Sequence, residues 1–366
     1  MTDYRIVPCT DDLLDQVAKL HHESFGLDLA LSEHYLDWKY KTNPYIEDAA
    51  LFVALDRGGT VVGMRAFYGT CWNVSGRPVV APCADDFAIA PEHRNVGLMT
   101  QIMRVALEAM MQRGFSQVLN LSGGSVTVLQ SLAMGWTSLG PVKPVGRSSR
   151  TQRMRVALET LPRGRRLREF IGVRFPNWTA GGFERLDNAR GTPSSIGVTI
   201  EDRARPDAMA ALAARLDRGT HVRHVRDAAY FKWRFLNPMR EYRFLYHETD
   251  GALDGYLVVN RTPEVQPPKV RHYLVDWEAA SDEIRAALLK TALNRGRFPA
   301  VGAWTGSMSE AEADVLRRFG FEEIEPDLRA RGMPCGLIKA LGTGRSYPLP
   351  ANGSVWQIRL LDTMRG

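Results

Sequence analysis

The sequence predicts an α/β chain folded as two like domains. Three observations lead there: a length of 366 residues, which suits two domains; a strand-turn-helix stretch from Asp85 to Gly114; and an order of elements that recurs in the second half. With 45% hydrophobic and 24% charged residues, the chain has a globular composition able to bury two cores.

Taken in order, "YRIVP" at 4–8 reads as a first strand, and "TDDLLDQVAKLHHESF" as a helix capped by Thr10 or Asp11 with Leu14, Val17 and Leu20 inward. "SEHYLDWKYKTNP" is a short helix stopped by Asn43 and Pro44. The run at 49–74 is a hairpin around an "RGG" tip, and 78–90 supplies the next strand. Pro91 ends that strand, "EHRNVG" turns, and a helix opens near Gly97. Its apolar residues recur at helical spacing: Leu98, Ile102, Val105 and Ala109, with Met99, Met103, Ala106 and Met110 alongside. After Gly114 come a strand, "FSQVLNLS", and a helix ended by Gly135.

A glycine-containing basic turn that delivers a strand into a helix N-terminus is a device for holding phosphate. The first helical amides have no intrahelical partners, the helix dipole favours an anion, and glycine permits close approach.

The second half repeats the order. Tyr35, Trp38 and Asn43-Pro44 correspond to Tyr230, Trp233 and Asn237-Pro238, and a hairpin, strand, helix, strand and helix follow. The two tryptophans are therefore expected to be core anchors. The second strand-to-helix turn, "WEAASDEIRAA", has no glycine and no basic residue. With Asp282 and Glu283 at its helix start it would repel a pyrophosphate, so one phosphate site is expected, in the first half.

Arg94-Asn95-Val96-Gly97-Leu98-Met99, within this order of elements and before a helix ending in Gly135-Trp136, resembles the acyl-CoA motif of the GCN5-related N-acetyltransferase (GNAT) superfamily. Met99 departs from the Gly or Ala at the motif's last position. The resemblance covers 4–140 with the motif and 196 to about 330 without it. It implies two tandem domains, each a mostly antiparallel mixed sheet flanked by helices: 1–145 with the acyl-CoA site, a basic connector at 146–195, a degenerate domain at 196–345, and a C-terminal tail or strand at 346–366.

The resemblance places the pyrophosphate of acetyl-CoA or another acyl-CoA on the turn, at His93, Arg94, Asn95, Val96, Gly97, Leu98, Met99 and Thr100. The pantetheine arm would run along Phe87, Ala88 and Ile89. Asp85 or Asp86 is the expected base or amine anchor; neighbours on a strand, they should face opposite sides. Glu23, Glu92 and His93 are weaker candidates for the base. The family's tyrosine acid falls on Ser131, which leaves Ser131, a water or another residue to protonate the thiolate.

The expected activity is acyl-CoA-dependent N-acyl transfer to a small amine such as an amino sugar or polar metabolite. Lys143 to Arg174 holds ten basic residues against two acidic ones, and suits a phosphorylated acceptor or an acidic acyl carrier protein. An acyl-carrier-protein-dependent transferase and a non-catalytic acyl-CoA-binding protein are the alternatives; nucleic acid is not the expected partner. No metal is expected, since the pairs His21-His22 and His221-His224 lack a third ligand at suitable spacing. Cys9, Cys71, Cys83 and Cys335 are dispersed and read as reduced thiols. The apolar runs are strand-sized and no secretory signal opens the chain, so a cytoplasmic protein without a membrane span is expected.

Overall fold

The computed structural model describes residues 4–46, 50–122, 125–141, 143–150, 153, 182–194, 196–217, 219–263, 270–306, 308–324, 335–342 and 347–363. Most of the basic connector lies outside these residues.

In the first half the order is β1 (Arg5–Pro8), α1 (Leu14–Phe25), α2 (Leu29–Leu36), β2 (Ala50–Leu55), β3 (Val61–Val74), β4 (Arg77–Ile89), α3 (Leu98–Gln112), β5 (Gln117–Asn120), α4 (Ser125–Ala133), β6 (Thr137–Pro141) and β7 (Pro144–Ser148). The second half runs α5 (Phe183–Asp187), β8 (Val198–Glu201), α6 (Pro206–Leu216), β9 (Val222–His224), α7 (Ala228–Arg234), β10 (Glu241–Thr249), β11 (Ala252–Pro263), β12 (Val270–Ala279), α8 (Asp282–Gly296), β13 (Ala300–Trp304), α9 (Glu310–Arg318), β14 (Glu322–Glu323), β15 (Cys335–Ala340) and β16 (Trp356–Gln357).

Two mixed sheets result, and their strand orders match. The first is β1-β2-β3-β4-β5-β15-β6; the second, read in the same sense, is β8-β10-β11-β12-β13-β7-β14. Position by position the halves agree, with one reciprocal substitution. The strand after β6 crosses into the second sheet, where β7 lies between β13 and β14. The strand after β14 crosses back, and β15 lies between β5 and β6. The expected boundary near 145 therefore cuts a strand that belongs to the other sheet. Each half completes its partner's sheet, as in a domain swap within one chain.

Both helix faces follow from local pattern. In α3, Leu98, Ile102, Met103, Ala106 and Met110 are buried, while Val105 and Ala109 sit at the margin of that face. The α3 face packs on β2, β3 and β5 with Phe52, Phe67, Val118 and Trp136. The opposite face of the first sheet and the corresponding face of the second share one core. It contains Tyr35, Trp38, Tyr68 and Trp72 from one half and Tyr230, Trp233, Tyr242 and Phe244 from the other. A seam of this kind removes large aromatic area from water and fixes the halves relative to each other. The tail joins the same seam: β16 pairs with β9, which in turn pairs with β3.

Candidate functional site

The strand β4 is long enough to reach from the seam to the phosphate turn, but it is not regular. Met64 and Ala66 of β3 face Ala88 and Asp85, so β4 carries an extra residue here and bulges. Asp86 takes φ of 46°, a left-handed conformation that costs a non-glycine residue about 1 kcal/mol or more. Below the bulge β4 pairs with β5 at Cys83 and Leu119; above it the two strands diverge.

That divergence opens a groove of about 540 Å³. Phe87, Ala88 and Ile89 form one wall, Arg94, Asn95, Gly97, Leu98, Met99 and Thr100 the end, and Gln130, Ala133 and Met134 of α4 with Ser24 and Phe25 of α1 the remainder. Gly97, at φ 76°, is the N-cap of α3 and supplies no side-chain acceptor, and Gln101 is the first residue to donate into the helix, to Gly97. The amides of Leu98, Met99 and Thr100 are thus left for a ligand at the positive end of a helix of 15 residues. A Cβ on Gly97 would meet nothing within 4 Å, so the glycine is demanded by backbone conformation and by ligand approach, not by protein packing. Arg94 is tied back by its Nε to the Ile89 carbonyl at 2.9 Å, which braces the turn against the strand.

Two expected neighbours of the ligand lie elsewhere. The His93 ring turns away to the Tyr4 hydroxyl, 2.9 Å from its Nδ1, and Val96 projects outward, 49% exposed. Ser131 is fully buried on the inner side of α4 and its hydroxyl has no partner; it is not among the residues that line the groove.

Asp85 and Asp86 do not face opposite sides. The bulge breaks the alternation, and both carboxylates bind the Lys39 ammonium, each at 2.7 Å. Lys39 is fully buried, and the Tyr35 hydroxyl accepts its third hydrogen bond at 2.8 Å. Tyr40 donates to the same Asp86 oxygen at 2.7 Å. A buried ammonium is tolerated only when its charge and all its donors are matched, and here they are. Lys39 reaches this position because Asp37–Lys41 forms a single π-turn that widens the end of α2.

Burial by itself would raise the Asp85 pKa, but the adjoining Lys39 ammonium, with Arg65 further off, brings it below the ordinary carboxylate value. Lys39 shifts the other way: the two carboxylates outweigh burial and hold it protonated. Arg65, 2% exposed on the α3 face of β3, lies over the Phe67 and Phe87 rings and faces Asp85 electrostatically. Glu23 and Glu92 lie outside this hub; on β4 the groove lining begins at Phe87, and neither they nor Asp85 and Asp86 are part of it.

Lys39 escaped the reading of the sequence because a lysine on a short surface helix is ordinarily solvated. The one available signal was its place after Trp38 in the repeat, where the second copy has Arg234 after Trp233. Arg234 is also fully buried, and its guanidinium binds the carbonyls of Leu361 and Thr363 at 2.8 and 2.7 Å.

The corresponding turn of the second half is built differently. Ser281 caps α8 with its own hydroxyl, accepting from the Ile284 amide, and Asp282 and Glu283 follow in the first turn. β12 and β13 diverge after His272 and Tyr273, but the C-terminal segment fills the gap. The Leu361 amide donates to the Val275 carbonyl at 3.0 Å, and Arg359 binds the Trp277 carbonyl and, at 3.0 and 2.7 Å, Asp276 and Glu278. About 30 Å³ remains beside Leu274, Trp304 and Leu360, room for about one water.

The buried histidines are engaged separately. His21 meets Ser32 at 3.1 Å, and His224 meets the Val225 carbonyl at 2.7 Å. Among the described residues no helix is long and apolar enough to cross a membrane.

Residues 5–126 match the acetyltransferase (GNAT) domain family, and this part of the chain is a GNAT domain. A GCN5-related N-acetyltransferase from Anabaena variabilis has a similar structure, with TM-score 0.61 at 12% identity, over 93% of this chain and 73% of that one. An Enterococcus faecalis protein described as a probable N-acyltransferase gives 0.57 at 10% identity, over 93% and 73%. Saccharomyces cerevisiae N-myristoyltransferase with bound myristoyl-CoA gives 0.56 at 11%, over 92% and 83%. At these identities the likeness is one of fold, and it extends over both halves. No curated protein matches the sequence.

Proposed function

We propose that the protein is an acyl-CoA-dependent N-acyltransferase that takes acetyl-CoA and acylates a small amine such as an amino sugar or another polar metabolite. The observation that carries this reading is the row of unpartnered amides at Leu98, Met99 and Thr100, opening on a groove walled by Phe87, Ala88 and Ile89. Acyl-CoA would supply an activated thioester there.

The chain's own residues divide the remaining work. The α3 amides and Gly97 hold the pyrophosphate, and a backbone amide of the β4 segment is the oxyanion donor. Asp85, whose pKa burial would raise but the Lys39 ammonium brings below the ordinary carboxylate value, suits an anchor for the acceptor's ammonium better than a base, because a carboxylate with a depressed pKa takes a proton poorly; Asp86 is bound to the same ammonium. Ser131 is too deeply buried to reach a leaving thiolate, which leaves a water or another residue as the source of that proton.

Calorimetric titration with acetyl-CoA, CoA and a long-chain acyl-CoA, followed by thiol release over a panel of amines, tests the reading. Saturable binding with amine-dependent thiol release is expected. Absence of binding would remove the reading, and binding without turnover of any amine would favour a non-catalytic acyl-CoA-binding protein, a reading to which buried Ser131 lends some weight. Turnover only from an acylated carrier protein would favour the carrier-dependent alternative.

A further inference from the structure

We propose that Lys39 is a positioning residue for acyl transfer, holding Asp85 and Asp86 on one side of the β4 bulge where the acceptor amine is received. This rests on the acyltransferase reading above and deepens it.

The geometry leaves little else for Lys39 to do. Its three donors are used on Asp85, Asp86 and Tyr35, at 2.7, 2.7 and 2.8 Å, and it is surrounded by the rings of Tyr35, Tyr40 and Tyr68 at 4.9, 5.4 and 5.3 Å. An ammonium carried into such a place gains nothing over an apolar side chain unless the two carboxylates must remain ionised and together. They lie two residues and one residue before Phe87, which walls the groove, so a shift of the bulge is a shift of the donor's strand. Each carboxylate meets Lys39 through Oδ2, and Asp85 keeps 15% of its side chain exposed, so the hub is not sealed from solvent. The repeat offers a contrast. Arg234, at the matching position, binds the Leu361 and Thr363 carbonyls of the tail.

Without Lys39, two adjacent carboxylates would share a buried site and one would take up a proton at higher pH than in the native protein. The groups that face them are Tyr35 of α2, Tyr40 of the π-turn, His21 of α1, Arg65 and Tyr68 of β3 and Cys83 of β4; of these only Arg65 is cationic at neutral pH, since burial lowers the His21 pKa.

The test compares the full-length protein with Lys39→Met and with the charge-matched pair Lys39→Met, Asp85→Asn, which keeps the hub at one net negative charge should the single variant fail to fold. Acetyl-CoA affinity is measured by calorimetry, acyl transfer to the best amine of the panel by thiol release against pH, and carboxyl protonation by 13C resonances of the aspartates. The expected result is acetyl-CoA binding within a fewfold of native, kcat/KM for the amine lowered roughly a hundredfold in both variants, and, in Lys39→Met, a carboxyl that titrates above its native position and an acid limb in the rate that follows it. Native turnover in either variant, or a Lys39→Met carboxyl titration unchanged from native, overturns the role of Lys39. Loss of acetyl-CoA binding in the native protein itself would instead fall on the acyltransferase reading, so the two failures are told apart.

Discussion

Trp38 and Trp233 stack on each other across the seam, and each indole donates to the other's backbone carbonyl. Their ring centroids are 5.0 Å apart at an interplanar angle of 12°, and the two hydrogen bonds measure 2.7 and 2.9 Å. Reciprocity of this kind is what a two-fold relation between duplicated halves produces: residue i meets j as j meets i. The pair is the tertiary counterpart of the Tyr-x-x-Trp correspondence in the sequence.

Trp38→Phe or Trp233→Phe should each cost about 1 kcal/mol, because each removes one hydrogen bond to a buried carbonyl that keeps a second donor, the Leu236 amide on Trp233 and the Thr42 hydroxyl on Trp38. The double variant should cost less than the sum of the two singles, since the stacking energy is lost only once. Urea unfolding of the four proteins measures the coupling; strict additivity would mean that the rings do not act as a pair.

Gly97→Asp should weaken acetyl-CoA binding roughly a hundredfold, about 2.7 kcal/mol. It puts a negative side chain against the pyrophosphate and a Cβ at φ 76°. Ser281→Asp, at the start of α8, should leave affinity unchanged, because that helix is already capped and its groove already closed. Equal effects of the two substitutions would assign the ligand to the wrong turn.

Strand exchange predicts that the halves do not fold apart. A fragment of residues 1–149 lacks β15, so β5 and β6 have no strand between them, while β7 has no sheet to join. It should show no cooperative unfolding transition by circular dichroism, and co-expression with the remainder of the chain should restore one. A cooperative transition in the fragment alone would count against the exchange.

His272 predicts an acid-sensitive fold. Burial between Phe183 and Phe298, with Arg261 nearby, lowers its pKa from 6.5 to about 4, and its Nε2 has no partner. A depressed histidine is neutral in the folded state, so the unfolded chain binds the extra proton. The stabilisation is complete above 6.5 and is lost as pH falls from there to about 4, by up to roughly 3 kcal/mol. His272→Leu should flatten stability over that interval in chemical denaturation at several pH values; an unchanged slope would exclude His272 as the source. His21 and His224, whose pKa values burial also lowers, add slopes of the same sign.

Much of the frame was legible because it is local. The spacing of apolar residues in α3, the stop at Pro91 and the glycine before Leu98 act within a few residues of one another, and the structure places them as those rules require. The acidic turn before α8, with Asp282 and Glu283, was readable for the same reason. The hub was not. Alternation along a strand puts Asp85 and Asp86 on opposite faces, and only the bulge across from Arg65 brings them to one ammonium. Nor does anything in α2 mark Lys39 as buried, since its partners lie 46 and 47 residues away.

The sequence by itself determined that one strand-and-helix order runs through both halves, with a glycine-led turn into a helix in the first half and an acidic turn in the second. Those properties depend on period, capping and backbone conformation, which neighbours along the chain settle. Tertiary structure alone decided that β7 and β15 change places, that the tail occupies the second splay, and that Lys39 gathers the two aspartates. Equivalent strands fit either sheet by pattern, so their placement is chosen by the packing of whole halves. A buried charge finds its partners only when that packing has expelled the water around them.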